Sequence, residues 1–282
     1  MDDIKLNNGT TIPALGIGTF QMQPDDAEAA VTSALHDGYR LVDTANAYLN
    51  EKATGRAIKA SGVDRSQLYV STKLWPSIYG DAAKAIDDTL ARLQLDYIDL
   101  LFLHQPVGQV DDAYRAIEGA VSAGKVRSIG LSNFKVEQIR DLAERMDVRP
   151  SVIQAEAHPY YPQHDLKAYL STIGAVLMAW YPLGHGDKTL LEQPVFARLA
   201  QAYGKTPAQI VLRWHVQSGN VVIPGSRNPE HIRANADVFD FELTDQDMAD
   251  IAKVDRNKPY YVATDAALQG YLNFAPDFGA QK

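Results

Sequence analysis

The sequence predicts an α/β protein built as a closed (β/α)₈ barrel, and three features of the 282-residue chain predict it. Eight short apolar runs recur, most of their starting points 24 to 29 residues apart, the length of one strand, one helix and two loops. The runs are apolar on both faces, as parallel strands covered by helices must be. The stretches between them place apolar residues at helical spacing. Eight such units suit a closed barrel better than an open doubly wound sheet, and roughly 250 residues is common for a single barrel domain. Residues 1–282 are therefore expected to form one domain.

The elements follow in order. IKLNNGTTIPAL carries Asn-Gly between apolar positions, the signal of a small β-hairpin that would plug the bottom of the barrel. The strand candidates are ALGIGTF (14–20), YRLVDTA (39–45), LYVSTKLW (68–75), YIDLLFLHQP (97–106), VRSIGLSNF (126–134), SVIQAEAH (151–158), AVLMAWYPLG (175–184) and NVVIPGS (220–226). Between the first two, DDAEAAVTSALHDG (25–38) sets Ala27, Ala30, Val31, Ala34 and Leu35 on one stripe and ends at Gly38, where a helix stops. DAAKAIDDTLARLQ (81–94) repeats this with Ala82, Ile86, Leu90 and Leu93, and VDDAYRAIEGAVSAG (110–124) ends in Gly124. The segment between the seventh and eighth runs is longer and is expected to hold an extra helix. Residues 255–282 show no clear helical stripe but carry Tyr260, Tyr261, Tyr271, Phe274 and Phe278. That tail reads either as a lid loop over the rim or as a segment packed on the barrel wall.

Composition narrows the function. Hydrophobic residues make up 46% and charged residues 22%, an ordinary globular mixture. Lys and Arg number 27 against 35 Asp and Glu, so the net charge is 27 − 35 = −8, with no global basic footprint for nucleic acid or an acidic membrane. The absence of cysteine excludes disulfides, thiolate metal sites and a cysteine nucleophile. MDDIKLNNG has no apolar core of a secretory signal, and no stretch approaches the roughly 18 apolar residues of a membrane span. A cytoplasmic protein is the expectation.

In such a barrel the active site lies at the C-terminal ends of the strands. The second run ends in Asp43 with Tyr48 just beyond; the third gives Lys73 and the fourth His104. The fifth contributes Ser132 and Asn133, the sixth Gln154, the seventh Trp180 and Tyr181, and the eighth Ser226 and Arg227. Carboxylate, phenol, ammonium and imidazole thus arrive from three adjacent strands, a group suited to giving a proton to a carbonyl. A free phenol has a pKa near 10. A neighbouring Lys73 ammonium would favour the phenolate and bring Tyr48 towards the working pH, with Asp43 holding Lys73 charged and His104 fixing the substrate oxygen. No metal-ligand spacing occurs: His158 and His164 lie six apart and read as structural. GIG at 16–18 is only a truncated GxGxxG.

The chain resembles the aldo-keto reductases, particularly their bacterial 2,5-diketo-D-gluconate reductase-like branch. LNNGTTIPALGIGTF, LVDTANAY, STKLW, DYIDLLFLHQP, IGLSNF, QAEAHPYYPQ, AWYPLGHG, KTPAQIVLRW and VIPGSRNPEHIRAN carry the resemblance, all in family order over nearly the whole chain. It implies a (β/α)₈ barrel and reduction of aldehydes or ketones with NADP(H) bound extended, by a monomer needing no metal. It makes Tyr48 the general acid, with Asp43, Lys73 and His104 completing a tetrad. It assigns Ser132, Asn133 and Gln154 to the nicotinamide carboxamide, and Trp180 and Tyr181 to the ring that stacks on the nicotinamide. Gly18, Thr19, Asp43 and Leu183 would also border the cofactor, and Phe20, Tyr48, Trp75 and His104 the substrate. Asn235 matches the adenine-binding position.

Two departures stand out. Gln105 follows the histidine where the family often has an aromatic, which makes one pocket wall more polar. Gly225 and His231 stand where a lysine and an arginine commonly hold the 2′-phosphate of NADP; Ser226 and Arg227 remain as phosphate candidates, and NAD(H) becomes acceptable. Glu156 and His158 match the family pattern without a catalytic role derivable from the sequence. Two other readings compete with a reductase of small carbonyl substrates: a cofactor-binding sensor or regulatory barrel with little activity, and a Schiff-base aldolase using Lys73.

Overall fold

The hairpin comes first. The computed structural model describes residues 2–282. Strands β1 (Asp3–Lys5) and β2 (Thr11–Pro13) pair antiparallel, with Ile4 opposite Ile12. Asn8 Oδ1 accepts from Thr10 N at 3.1 Å, and Gly9 takes the positive φ (87°) that the turn requires. The turn is tied to the barrel: Asn8 Nδ2 donates to Ser128 Oγ (2.8 Å) and Asn7 Nδ2 to Pro150 O (3.0 Å). Leu6 and Ile12 close the inner core from below, packed in one cluster with Leu41, Tyr69, Leu100 and Phe102.

All eight apolar runs form barrel strands. They are β3 (Gly16–Gly18), β4 (Leu41–Asp43), β5 (Tyr69–Leu74) and β6 (Ile98–Leu103), then β7 (Val126–Ser132), β8 (Val152–Glu156), β9 (Val176–Trp180) and β10 (Val221–Val222). Each pairs parallel with the next in chain order. The first and last meet through a parallel bridge between Leu15 and Val222, with Val222 N donating to Ala14 O at 2.9 Å, so the sheet closes. Inside, Phe102 fills the centre. A Cβ on Gly130 of β7 would lie 2.3 Å from that ring, so only glycine fits opposite it.

The outer ring begins with α1 (Pro24–His36), α2 (Glu51–Ala60), α3 (Ala82–Leu93), α4 (Val110–Ser122), α5 (Val136–Arg145) and α6 (His164–Ile173). The buried residues of α1 are Ala27, Ala30, Val31, Ala34 and Leu35, the stripe read from the sequence. Pro24 starts it, where a missing N–H costs nothing. Between β9 and β10 stand three helices, α7 (Lys188–Leu191), α8 (Pro194–Tyr203) and α9 (Pro207–Gln217), the last opened by a Thr206–Gln209 capping box. After β10 come α10 (Pro229–Ala236) and α11 (Asp245–Ala252).

The tail departs from its sequence reading. It contains a helix, α12 (Asp265–Asn273), capped by Thr264 Oγ1, which accepts from Ala267 N at 3.2 Å. No residue of α12 is fully buried: Ala267, Leu268, Tyr271 and Leu272 form a half-buried stripe, too short in a nine-residue helix to stand out from the sequence. Among the described residues, no helix is long and apolar enough to cross a membrane.

Candidate active site

A cavity of about 680 Å³ opens at the C-terminal ends of the strands. Asp43, Tyr48, His104, Ser132, Asn133, Gln154, Trp180 and Tyr181 all line it, with Gly18 and Leu183 at its edges. Lys73 lies wholly buried behind this wall.

Its position follows from strand alternation. On β5, residues at every second position face the barrel interior, which aims Lys73 inward above Phe102. Lys73 Nζ donates to Asp43 Oδ2 at 2.6 Å and to Thr44 O at 2.8 Å. The other Asp43 oxygen accepts from Ser71 Oγ (2.7 Å) and Gln154 Nε2 (3.1 Å). A buried ion pair stands only when its remaining lone pairs and protons find partners, and here Thr44, Ser71 and Gln154 supply three of them. Burial nevertheless pulls the Lys73 ammonium below its ordinary pKa, with Asp43 opposing the shift.

Tyr48 closes a short 3₁₀ turn after β4, and its ring centroid lies 5.0 Å from Lys73 Nζ, 5.6 Å from the His104 ring and 5.1 Å from Phe20. The sequence expectation that a neighbouring ammonium would lower the phenol pKa is overturned. Burial, reinforced by Asp43 and Tyr181, pushes it well above the ordinary value. His104 moves the other way: burial, then Lys73, hold it well below the usual imidazole range, so the ring is neutral. Its Nδ1 is buried without a partner.

The other walls are aromatic. Trp75 packs edge-on against His104 (4.8 Å) and against Tyr271 (5.2 Å) and Phe274 (5.6 Å) of the tail. Asn133 accepts from Trp180 Nε1 at 3.0 Å and adopts a left-handed backbone, which asparagine tolerates. Tyr181 does so too (φ 51°), and a bulky residue there stores strain. Its ring stacks on His185 at 4.0 Å.

Five residues named from the sequence stand off the cavity. Thr19 is wholly buried, its hydroxyl 3.3 Å from both Asp43 O and Asn50 Oδ1. Ser226 bonds back to its own loop, accepting from Asn228 N at 3.1 Å. Arg227 is exposed, donates to Gln21 O (3.0 Å) and lies 3.5 Å from Asp26. His231 is exposed and Asn235 buried, one turn apart on α10. Gly225 does border the cavity.

Sequence reasoning missed Gln21, His185 and the part played by Glu156. Glu156, at the end of β8, accepts from Tyr260 N (2.6 Å), Tyr261 N (2.8 Å) and His158 Nε2 (2.8 Å). It thereby holds the start of the tail, whose Tyr261, Tyr271 and Phe274 complete the cavity. The available signal was a carboxylate and an imidazole two apart at a strand end.

A family model described as the Aldo/keto reductase family matches residues 12–256. The chain belongs to this family. An aldo-keto reductase of Mycobacterium sp. (strain JLS) is 47% identical over 257 residues, covering 89% of this chain and 92% of that protein. The methylglyoxal reductase DkgA of Escherichia coli (strain K12) is 42% identical over 258 residues, 90% of this chain and 94% of the relative. Among solved structures, the aldo-keto reductase MGS-M4 from a Medee basin deep-sea metagenome library superposes with a TM-score of 0.90 at 40% identity, covering 94% and 98%. Both the family resemblance and the barrel read from the sequence hold, and family membership makes the protein an oxidoreductase acting on carbonyls.

Proposed function

We propose that this protein reduces small aldehydes and ketones to alcohols, using NADPH and accepting NADH, with Tyr48 as the proton donor. The observation that carries the reading is the buried Lys73–Asp43 pair (2.6 Å) set behind Tyr48 and His104 on one cavity. The relative named a methylglyoxal reductase points to the same chemistry on small carbonyls. The reading takes the chain as a single-domain monomer in the cytoplasm.

The cavity fits a nicotinamide. Among the described residues, the Ser132 hydroxyl proton and Gln154 Oε1 have no partner, and both residues line the cavity; together they match the acceptor and donor of a carboxamide. Asn133, Trp180, Tyr181, Gly18 and Leu183 would frame the ring. When bound, the cofactor supplies a hydride. His104, neutral and with Nδ1 buried, turns Nε2 to the cavity; carrying its hydrogen there, it donates to the carbonyl oxygen and orients it. As charge develops on that oxygen, Tyr48 gives up its proton, which its raised pKa keeps in place until a stronger base forms. Lys73 then offsets the charge left on the phenolate.

Cofactor choice rests on few charges. Arg227, the cation remaining near the predicted phosphate site, already faces Asp26. Charge-assisted hydrogen bonds contribute roughly 1.5–3 kcal/mol each, so the loss of two favours unusual use of NADH. A Schiff-base role fits Lys73 poorly, because it is wholly buried and held by a carboxylate. Borohydride with a carbonyl substrate should leave no adduct on Lys73.

The test is turnover of glyceraldehyde with NADPH by the native protein and by Tyr48→Phe. The variant should keep cofactor binding and lose roughly 10²–10⁴-fold in kcat. Absence of turnover in the native protein would favour a sensor or regulatory barrel instead.

A further inference from the structure

We infer that Gln105 is a specificity-determining residue that selects carbonyl substrates bearing a second oxygen beside the reacting carbon. The inference rests on the carbonyl-reductase reading and adds which carbonyls the site prefers.

Gln105 directly follows His104, lines the same cavity and is only 5% exposed. Its backbone is fully engaged: its N–H donates to Tyr79 Oη (3.1 Å), and its carbonyl accepts from Tyr79 Oη (3.0 Å) and Val107 N (2.9 Å). Its side chain is not. Among the described residues the amide makes no hydrogen bond, and Oε1 is buried without a partner. A buried amide left unpaired costs stability that an apolar side chain of the same shape would not. The neighbouring wall shows that apolar lining is available, since Trp75, Tyr271 and Phe274 pack together there without a comparable orphan.

With Oε1 turned into the protein, the NH₂ end is left to the cavity. It can donate to an oxygen one carbon away from the carbonyl that Tyr48 and His104 hold. A hydroxyl or a second carbonyl accepts that bond; a methylene cannot. An apolar substrate of equal length leaves the amide unpaired and dry, and a site built to bond a polar group rejects the analogue lacking it.

Glyceraldehyde and propanal make the matched pair: three carbons each, with and without hydroxyls. kcat/KM for both should be measured in the native protein, in Gln105→Met and in Gln105→Leu, together with melting temperature. The native protein should prefer glyceraldehyde. Gln105→Met should lower the glyceraldehyde-to-propanal ratio by roughly three- to tenfold, the loss of one neutral hydrogen bond, without lowering the melting temperature. Gln105→Leu should do the same and stands in if the methionine variant does not fold. An unchanged ratio in folded variants, or an equal fall on both substrates with a lower melting temperature, overturns the inference and leaves the reductase reading intact. No turnover of either aldehyde by the native protein would instead sink the reading beneath it.

Discussion

The floor and the roof of the cavity are built on opposite plans. Asp43, Lys73, Gln154 and Ser71 sit in or at the ends of β4, β5 and β8, buried, and their contacts are short and mutual. The roof is a strap of exposed and half-buried aromatics, with Phe274 at 45% exposure, Tyr260 at 39%, and Tyr261 and Tyr271 half-buried. It is fastened at its two ends and in its middle, where Trp75 Nε1 donates to Tyr271 O at 2.9 Å. Glu156 holds the backbone of Tyr260 and Tyr261, while Lys52 Nζ donates to Gly279 O and Gln281 O, each at 3.0 Å. Side chains on a hydrogen-bonded sheet can hold a proton donor to within fractions of an ångström. A strap pinned at a few points can vary the side chains between them without disturbing what lies below. On the proposed reading, chemistry belongs to the floor, and choice of substrate to the roof and to the wall residue Gln105.

That contrast can be broken most forcefully from below. Lys73→Met leaves Asp43 buried and unpaired, so turnover should fall by roughly 10²-fold or more, and stability by about 3–5 kcal/mol. Adding Asp43→Asn should restore much of the melting temperature but not the turnover. Full activity in either variant would remove Lys73 from the mechanism. Deleting residues 272–282 should act the other way. It removes Phe274 and the Gln281 fastening, shifts selectivity among substrates by roughly tenfold and moves the melting temperature only a few degrees. A collapse in melting temperature with unaltered selectivity would mean that the tail is wall packing. The smallest effect is at the cofactor loop. His231→Arg, at an exposed position, should tighten NADPH by about tenfold and leave NADH unchanged, as read from dissociation constants. Gly225→Lys is the less clean probe, because its Cβ would lie 3.0 Å from Gly18 O. Equal effects of His231→Arg on both cofactors would withdraw the phosphate assignment.

The sequence was most legible where burial is two-sided. Val42, Leu101 and Ile153 belong to strands buried along their whole length, with no exposed face to confuse the pattern, and Gly38 and Gly124, at φ of 91° and 75°, mark helix ends by backbone requirement. It was least legible where an element leans on solvent or on distant chain. Helix α12 is nine residues long and its one apolar face is only half-buried, so periodicity had little to report. Glu156 lies 104 and 105 residues from the amides it holds, a pairing no local pattern encodes. The raised Tyr48 pKa depends on the burial of the phenol and on the nearness of Asp43 and Tyr181, both properties of the assembled barrel. The Gln105 departure was visible as a polar residue; that its amide has no partner was not.

The most direct test of this division is the ratio of kcat/KM for a small and a bulky aldehyde, measured in Tyr48→Phe and in the protein lacking residues 272–282. The account predicts that Tyr48→Phe lowers both values together and leaves the ratio near that of the native protein. The shortened protein should keep kcat on the small aldehyde and change the ratio about tenfold. A shifted ratio in Tyr48→Phe, with an unshifted one in the shortened protein, would contradict it.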